Sequence, residues 1–300
     1  MMFKKILKYL KSPASLCLAL SSKGAFNWMS DISFIKLRYY CEFGKKLNLQ
    51  LPKTFNEKMQ WLKLFDRNPE YISLVDKFLV REYIGEKIGK EYLIPLIGVY
   101  DSFDQIDYDE LPNQFVLKCT HDSGGLVICT DKSKFDISKA RKKINKCLKR
   151  NFFFFGREWP YKDVKPRIIC EKFMIDEAGS ALKDYKFMCF NGEPRMILLC
   201  QNRYSDNGVN IDFYDANWTY LHLKRPNHPN SGMITCKPSN FNKMIEFSRK
   251  LSIDKKFVRI DFYETNGRLY FGEITFYPGS GFEKFEPEEY DNLLGSWISL

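Results

Sequence analysis

Histidine is scarce in this chain: only His121, His222 and His228 occur in 300 residues. The nine cysteines are scattered, odd in number, and never form a Cys-x-x-Cys pair. Several sit inside apolar runs, as in Ile169-Cys170 and Leu199-Cys200. They read as small buried hydrophobes of a cytoplasmic protein, not as disulfides or zinc ligands, and so few histidines further weaken a zinc site. No apolar run approaches the ~18 residues of a membrane span. The short apolar stretch Ala14–Leu20 is interrupted by Ser12 and Pro13 on its basic side, which makes it a poor signal peptide. No glycine-rich loop ends in Gly-Lys-Ser/Thr, so a Walker nucleotide loop is excluded. Internal repeats and low-complexity tracts are also missing, which removes solenoid architectures.

Positive charge and aromatic rings are abundant. Lys and Arg number 47 against 37 Asp and Glu, a formal net charge of +10. Such a chain is attracted to anions: nucleotides, acidic polysaccharide, nucleic acid or an anionic membrane face. Basic clusters lie at Lys4-Lys5-Lys8-Lys11, at Arg141-Lys142-Lys143-Lys146-Lys149-Arg150, and at Lys250-Lys255-Lys256. Each is also what a solvated helix face looks like. An amphipathic helix over Phe3–Leu10 would place lysines against a membrane surface, so a peripheral contact at the inner membrane face is one expectation. Phe and Tyr number 26 and 17, which favours sheet-rich interiors without naming a function.

Residues 1–70 read as a helical region. Thr54-Phe55-Asn56-Glu57 is a capping box opening a helix with Phe55, Met59, Leu62 and Phe65 as its apolar face. A second helix is expected over Val75–Ile84, with Gly89 as its stop. After Tyr92 the texture turns to strands. They are expected at 93–100, 114–119, 126–130, 167–174, 184–190 and 194–200, with further sheet at 211–214 and 218–223. Basic residues 138–150 and residues 241–251 read as helices. Asn191-Gly192 and Asn266-Gly267 are hairpin turns, because both residues of an Asn-Gly step tolerate positive φ. The pattern is α+β with antiparallel hairpins, without the regular strand–helix alternation of a parallel Rossmann sheet.

The chemistry concentrates at the last hairpin, residues 257–275. Each strand carries an acid among apolar neighbours, Asp261 and Glu273. Antiparallel pairing across Asn266-Gly267 brings these two carboxylates together. Two such acids repel unless something positive lies between them, and a hard divalent cation is one candidate. A solvent-facing acid on each strand is the plainer reading. Upstream, Lys118 precedes Thr120-His121-Asp122-Ser123-Gly124-Gly125, a turn whose backbone N–H groups could cradle a phosphate or form an ordinary hairpin. His121 faces either a phosphate or a local turn partner. Glu171-Lys172-Phe173-Met174 closes an apolar strand. Asp184 and Lys186 share one strand face. Pro278-Gly279-Ser280-Gly281 follows the acidic hairpin directly.

In this order, these features resemble the ATP-grasp fold, and more closely its TupA-like polysaccharide-biosynthesis branch. The likeness spans roughly residues 53–285. Its most specific stretches are Thr54–Lys63, Val75–Arg81, Phe115–Gly125 and Gly272–Gly279. The resemblance implies a helical N-terminal region (1–70), an N-terminal subdomain (71–110), a lid (111–171) and a C-terminal subdomain (172–300). It implies that Lys77 contacts phosphate, that Lys118 grips the α/β-phosphates, and that Ser123, Gly124 and Gly125 close over the γ-phosphate. Glu171, Lys172 and Met174 match the hinge that receives adenine, and Asp184 the acid at the ribose. Lys186 would reach phosphate, and Arg259 would meet the transferred phosphoryl group. Asp261 and Glu273 match Mg²⁺ ligands. Thr275 stands where the family commonly has asparagine, offering a hydroxyl in place of an amide oxygen.

The activity so implied is ATP-dependent joining of a carboxylate to an amine through an acyl phosphate. The partners would be ATP, Mg²⁺, an acidic sugar or glycan carboxylate and a small amine, with no nucleic acid. The absence of a Ser/His/Asp or Cys/His constellation suits a reaction that needs positioning and charge more than a protein nucleophile. A glycosyltransferase of a polysaccharide locus is the alternative, and it would want an Asp-x-Asp sugar-nucleotide metal motif after a Rossmann-like half, a half that the pattern does not contain.

Overall fold

A computed structural model describes residues 12–175, 182–202 and 208–300. The expected helix over Phe3–Leu10 lies outside them. The helical region begins with α1 (Pro13–Ser22) and α2 (Asp31–Phe43). Their N-caps are Ser12 and Ser30, whose hydroxyls accept from the N–H of Ser15 and Ser33. In α3 (Phe55–Phe65) the capping box forms as the sequence implies. Thr54 Oγ1 accepts from Glu57 N–H, and Glu57 Oε2 accepts from Thr54 N–H, each at 3.2 Å. The apolar face of α3 differs from expectation at its end. Phe55, Met59 and Leu62 are buried, but Phe65 is 52% exposed and Lys63 is fully buried beside them.

The single helix expected over 75–84 is two: α4 (Glu70–Val75) and α5 (Val80–Lys87). Asp76 breaks them apart. Its Oδ1 accepts from the N–H groups of Phe78 and Leu79 at 2.8 and 3.2 Å, competing with the helical ladder, and Arg167 holds its Oδ2 at 2.9 Å. The break turns Lys77 out of the helix and toward the centre of the molecule.

Two antiparallel sheets follow. The first contains β1 (Leu96–Tyr100), β2 (Phe115–Cys119), β3 (Leu126–Cys129) and β4 (Ile168–Lys172), in the order β1-β4-β2-β3. Here β1 joins residues of the segment 71–110 to the lid segment within one sheet. The strands expected from 93 and to 174 are shorter, which leaves Met174 beyond the end of β4. One face of this sheet packs Phe115, Leu117, Ile168 and Cys170 against Ala140, Ile144 and Cys147 of α6 (Ile137–Leu148). The alternate residues Lys118, Ile169 and Glu171 therefore point the other way. A short helix, α7 (Phe153–Gly156), follows α6.

The second sheet has six strands: β5 (Asp184–Phe190), β6 (Glu193–Gln201), β7 (Asn210–Asp215), β8 (Tyr220–Leu221), β9 (Phe257–Thr265) and β10 (Arg268–Thr275), in the order β10-β9-β5-β6-β7-β8. Both Asn-Gly turns form with positive φ at each residue: 49° and 86° at Asn191-Gly192, 51° and 68° at Asn266-Gly267. Helix α8 (Phe241–Ser252) covers one face, where Phe241, Met244 and Leu251 meet Phe187 and Phe262 in the main core. Helix α9 (Glu289–Ser296) packs on α3, with Asp291 Oδ1 accepting from Asn56 N–H and Nδ2 at 3.0 and 2.9 Å.

In the register of this sheet Lys186 pairs with Asp261, Asp184 with Tyr263, and Glu273 with Asp261. Paired residues share a face, so the acids and cations of three strands stand together. The register slips between Phe271 and Glu273. A Cβ on the intervening Gly272 would lie 3.0 Å from both the Asp261 carbonyl oxygen and the Tyr263 ring. The close approach favours glycine at the bulge, which re-aims Glu273. All nine cysteines are free thiols. No helix among the described residues is long and apolar enough to cross a membrane.

Candidate active site

The two sheets face each other across a cleft of ≈ 330 Å³. From the four-stranded side come Lys118, Ile169, Glu171 and the turn 122–125; from the six-stranded side come Asp184, Lys186, Tyr263 and Glu273; Lys77 enters from the break before α5 and Arg81 from the first turn of α5. Residues separated by almost two hundred positions thus share one space.

On the first wall Glu171 is buried between two cations. Lys118 Nζ lies 2.6 Å from its Oε2, and Arg81 Nη1 lies 2.9 Å from its Oε1. A second Arg81 nitrogen donates to the Ile94 carbonyl at 2.8 Å. Lys77 Nζ donates to the Asp122 carbonyl at 2.8 Å, which ties the helix break to the glycine turn. The buried Asp122 carboxylate is clamped by Arg150. The two glycines serve different ends. Gly124 has φ +119°, and a Cβ there would meet only Arg150 at 4.0 Å; a Cβ on Gly125 would strike Cys119 Cβ at 2.7 Å. The first glycine is required by conformation, the second by the closeness of β2. His121 turns away from the cleft. Its Nε2–H donates to the carbonyls of Cys147 and Arg150, both at 3.1 Å, and burial pushes its pKa below the ordinary histidine value.

The second wall is a ladder of alternating charge. Arg259 holds both oxygens of Asp261, Nε to Oδ1 at 2.6 Å and Nη2 to Oδ2 at 2.7 Å. Its Nη2 also reaches Glu273 Oε1 at 2.8 Å and Thr275 Oγ1 at 3.1 Å. Lys186 bridges Asp261 and Asp184, the latter at 2.6 Å. Asp184 and Asp261 are almost wholly buried, a costly state that the paired cations offset. Burial would lower the Lys186 pKa, but Asp184 and Asp261 together push it above the usual lysine value. Partial burial works against an ionised Glu273, yet Arg259 and then Lys186 pull its pKa down to about 2. Glu273 is therefore a carboxylate at neutral pH. Its side chain, 41% exposed, is the member of the ladder most open to the cleft.

Asp261, Glu273 and Thr275 supply oxygen atoms only, as a hard cation prefers. Among the described residues no group of three or more His, Cys, Asp or Glu side chains converges as metal ligands. Both Asp261 oxygens are already held by Arg259 and Lys186. Oxygen donors suit a hard cation in kind, and Glu273 is the one most open to the cleft, whereas Asp261 would have to exchange a cation partner for the metal.

The remaining expected residues lie apart. Lys172 and Met174 border a neighbouring cleft of ≈ 620 Å³, together with Arg268 and Tyr270. Arg81 and Leu93 line both clefts and so connect them. Arg81, Asp122 and Arg150 were not singled out from the sequence. Arg81 carried a local signal, since it stands four positions after Lys77 in the stretch Val75–Arg81. Asp122 and Arg150, 28 residues apart, carried none.

Facing antiparallel sheets, a lysine-bearing wall with a Gly-Gly turn, and a carboxylate–arginine wall define an α+β protein of the ATP-grasp class. The family model described as TupA-like ATPgrasp matches residues 57–299. The chain belongs to the TupA-like ATP-grasp family. A search of curated proteins finds no match. Among solved structures, the chain is similar to the D-alanine–D-alanine ligase of Bacillus anthracis complexed with ATP. Identity is 14%, coverage 67% of this chain and 54% of that one, and the TM-score 0.41. It thus spans about half that ligase's length. The D-alanine–D-alanine ligase of Helicobacter pylori is 13% identical, with 81% and 69% covered and a TM-score of 0.44. A RimK domain ATP-grasp protein of Sphaerobacter thermophilus is 11% identical, with 78% and 70% covered and a TM-score of 0.41.

Proposed function

We propose that this chain is an ATP-dependent carboxylate–amine ligase that modifies a uronic acid or other acidic group in cell-surface polysaccharide synthesis. One observation carries the reading. A cleft walled by Lys77, Arg81 and Lys118 on one side and by Asp184, Lys186 and Glu273 on the other, with Arg259 and Asp261 buried behind that second wall, can neutralise a polyphosphate and a phosphoryl group in flight.

The substrate carboxylate oxygen attacks the γ-phosphorus of ATP, the bond to the β-phosphate oxygen breaks, and ADP leaves. The amine then adds to the acyl phosphate carbon. Phosphate departs, the amine proton passes to phosphate or water, and an amide remains. Lys77 and Lys118 hold the phosphates, and the 122–125 turn excludes water from the acyl phosphate. Arg259 and Lys186 stand at the face where charge develops. Bound Mg²⁺, held at Glu273 with Asp261 and Thr275, would supply further neutralisation. Lys172 and Met174 receive the adenine end in the adjoining cleft, which Arg81 joins to the first. The protein works in the cytoplasm, with peripheral membrane contact through its basic N-terminus.

The glycosyltransferase alternative has little support. Every pairing between named strands is antiparallel. The one Asp-x-Asp triplet, Asp107-Tyr108-Asp109, lies in a surface loop, with the Tyr108 ring turned onto Phe103 and Phe135. The test is release of ADP and phosphate with uronates and amines. Glu273→Ala and Lys118→Ala should each slow it by about 10² to 10³-fold; full activity in both would refute the site.

A further inference from the structure

Beside the cleft, a groove of ≈ 550 Å³ runs between β3 and α6. Strand β3 is an edge of its sheet, paired only with β2, so its outer backbone groups are open to hydrogen-bonding partners. Val127, Phe135 and Ala140 line the groove with apolar surface, and Lys134, Lys139 and Lys143 add charge. Helix α6 holds no acid anywhere in Ile137–Leu148. Lys139, Lys142, Lys143 and Lys146 are exposed, and among the described residues none of them makes an ion pair. The two acids of the groove are already used. Asp131 accepts from Ser133 and pairs with Lys134, while Asp136 caps α6 by accepting from Lys139 N–H at 2.8 Å. Leu126, at the start of β3, borders both groove and cleft.

We infer that this groove is a docking track for an anionic glycan chain, whose uronate at the Leu126 end enters the cleft. The inference rests on the ligase reading and adds the acceptor's class: a polymer of several acidic sugars, not a lone monosaccharide. Lys139 and Lys143 stand one turn apart, about 6 Å along the axis. That is close to the length of one sugar residue, so successive carboxylates can meet successive lysines. Apolar surface between the charges suits the C–H faces of sugar rings, and the edge of β3 suits their hydroxyls. Single-stranded nucleic acid would want exposed rings on which bases stack, and the groove's one aromatic, Phe135, is packed against Phe115 and Tyr108.

The experiment measures binding without ATP, using an oligogalacturonate of about ten sugars, neutral dextran of the same length and a charge-matched single-stranded DNA. Wild type is compared with the Lys139→Glu/Lys143→Glu/Lys146→Glu variant, whose folding is checked by its cooperative melt. Oligogalacturonate should bind, dextran should not, and the variant should lose at least tenfold in affinity. Its log affinity against log salt should flatten by about two to three. In the ligase assay the ratio of KM for the oligomer to KM for galacturonate monomer should rise in the variant. Equal binding by wild type and variant overturns the track and leaves the ligase reading standing. Tighter, variant-sensitive binding of DNA also overturns it. Lack of ATP-dependent activity with any uronate overturns the ligase reading, and the direct binding result still decides the groove.

Discussion

Lys118 and Glu273 line opposite walls of the cleft, and the proposed reaction asks something different of each. On the proposed reading Lys118 would bring positive charge to the phosphates, while Glu273 is held ionised by Arg259 and opens to the cleft. Truncating either to alanine is expected to cut kcat/KM by about 10² to 10³-fold, the usual cost of one electrostatic group in a preorganised site. Steady-state ADP release checks it. His121 has another role: it pins the glycine turn to the end of α6. Its folded pKa is depressed, so the folded state binds fewer protons than the unfolded one. Its contribution is complete above the unfolded value of about 6.5 and is lost as pH falls through the folded value. The melting temperature of wild type should therefore fall, relative to His121→Gln, as pH drops below about 6.5. Parallel pH profiles would remove this role. Reading His121 from sequence left two options open, because a histidine in a turn carries no sign of which way it faces.

At the scale of the element, α3 explains why its stretch is so specific. Asn56, Gln60 and Lys63 recur at helical spacing on the buried side. Asn56 Nδ2 donates to the Glu283 carbonyl at 2.7 Å, and Gln60 Nε2 to the Gly281 carbonyl at 2.6 Å. Lys63 Nζ donates to the carbonyls of Gly156 and Ser280 at 2.7 and 3.0 Å. This polar stripe holds the loop Pro278–Gly281, where Gly279, Ser280 and Gly281 have φ of 54°, 58° and 65°. That loop follows Glu273 and Thr275 directly, so α3 braces the second wall from behind. Gly156 closes against the same loop, and a Cβ there would fall 1.7 Å from Ser280 Oγ. Gly156→Ala is expected to destabilise the fold by about 1–3 kcal/mol through overpacking, seen as a lower urea midpoint. Lys63→Met should cost about as much by removing the ammonium donor from the Gly156 and Ser280 carbonyls, which keep only the longer bonds from Ser280 Oγ at 3.5 Å and Gln60 Nε2 at 3.3 Å. The apolar period of α3 was legible. The buried lysine was not, since burial of a cation depends on carbonyls more than ninety residues away.

Across the whole molecule, the cleft separates two sheets with distinct cores, one around Phe115 and Ile144 and one around Phe187 and Phe262. A nucleotide bound between them adds contacts to both walls. Mg-ATP at one hundred times its Kd should raise stability by about 2.7 kcal/mol, with a melting temperature that climbs with nucleotide concentration. Lys118→Ala should shift that curve to higher ATP. A melt that ignores Mg-ATP would mean that the cleft is not a nucleotide site.

The sequence by itself determined what short-range physics controls. Asn191-Gly192 and Asn266-Gly267 set their hairpins through backbone freedom at positive φ. The second turn then brought Asp261 opposite Glu273, and alternation put Asp184 with Lys186 on one face. Thr54 and Glu57 set the start of α3 by local hydrogen bonds. Only the tertiary structure decided which cation neutralises which acid: Lys118 and Arg81 for Glu171, Arg259 and Lys186 for Asp261, Arg150 for Asp122. It also divided the expected hinge residues, giving Glu171 to one cleft and Lys172 and Met174 to the next. The reason is physical. A turn or a cap needs only neighbours in the chain, whereas a buried charge is stable only where folding delivers an opposite charge from far along it.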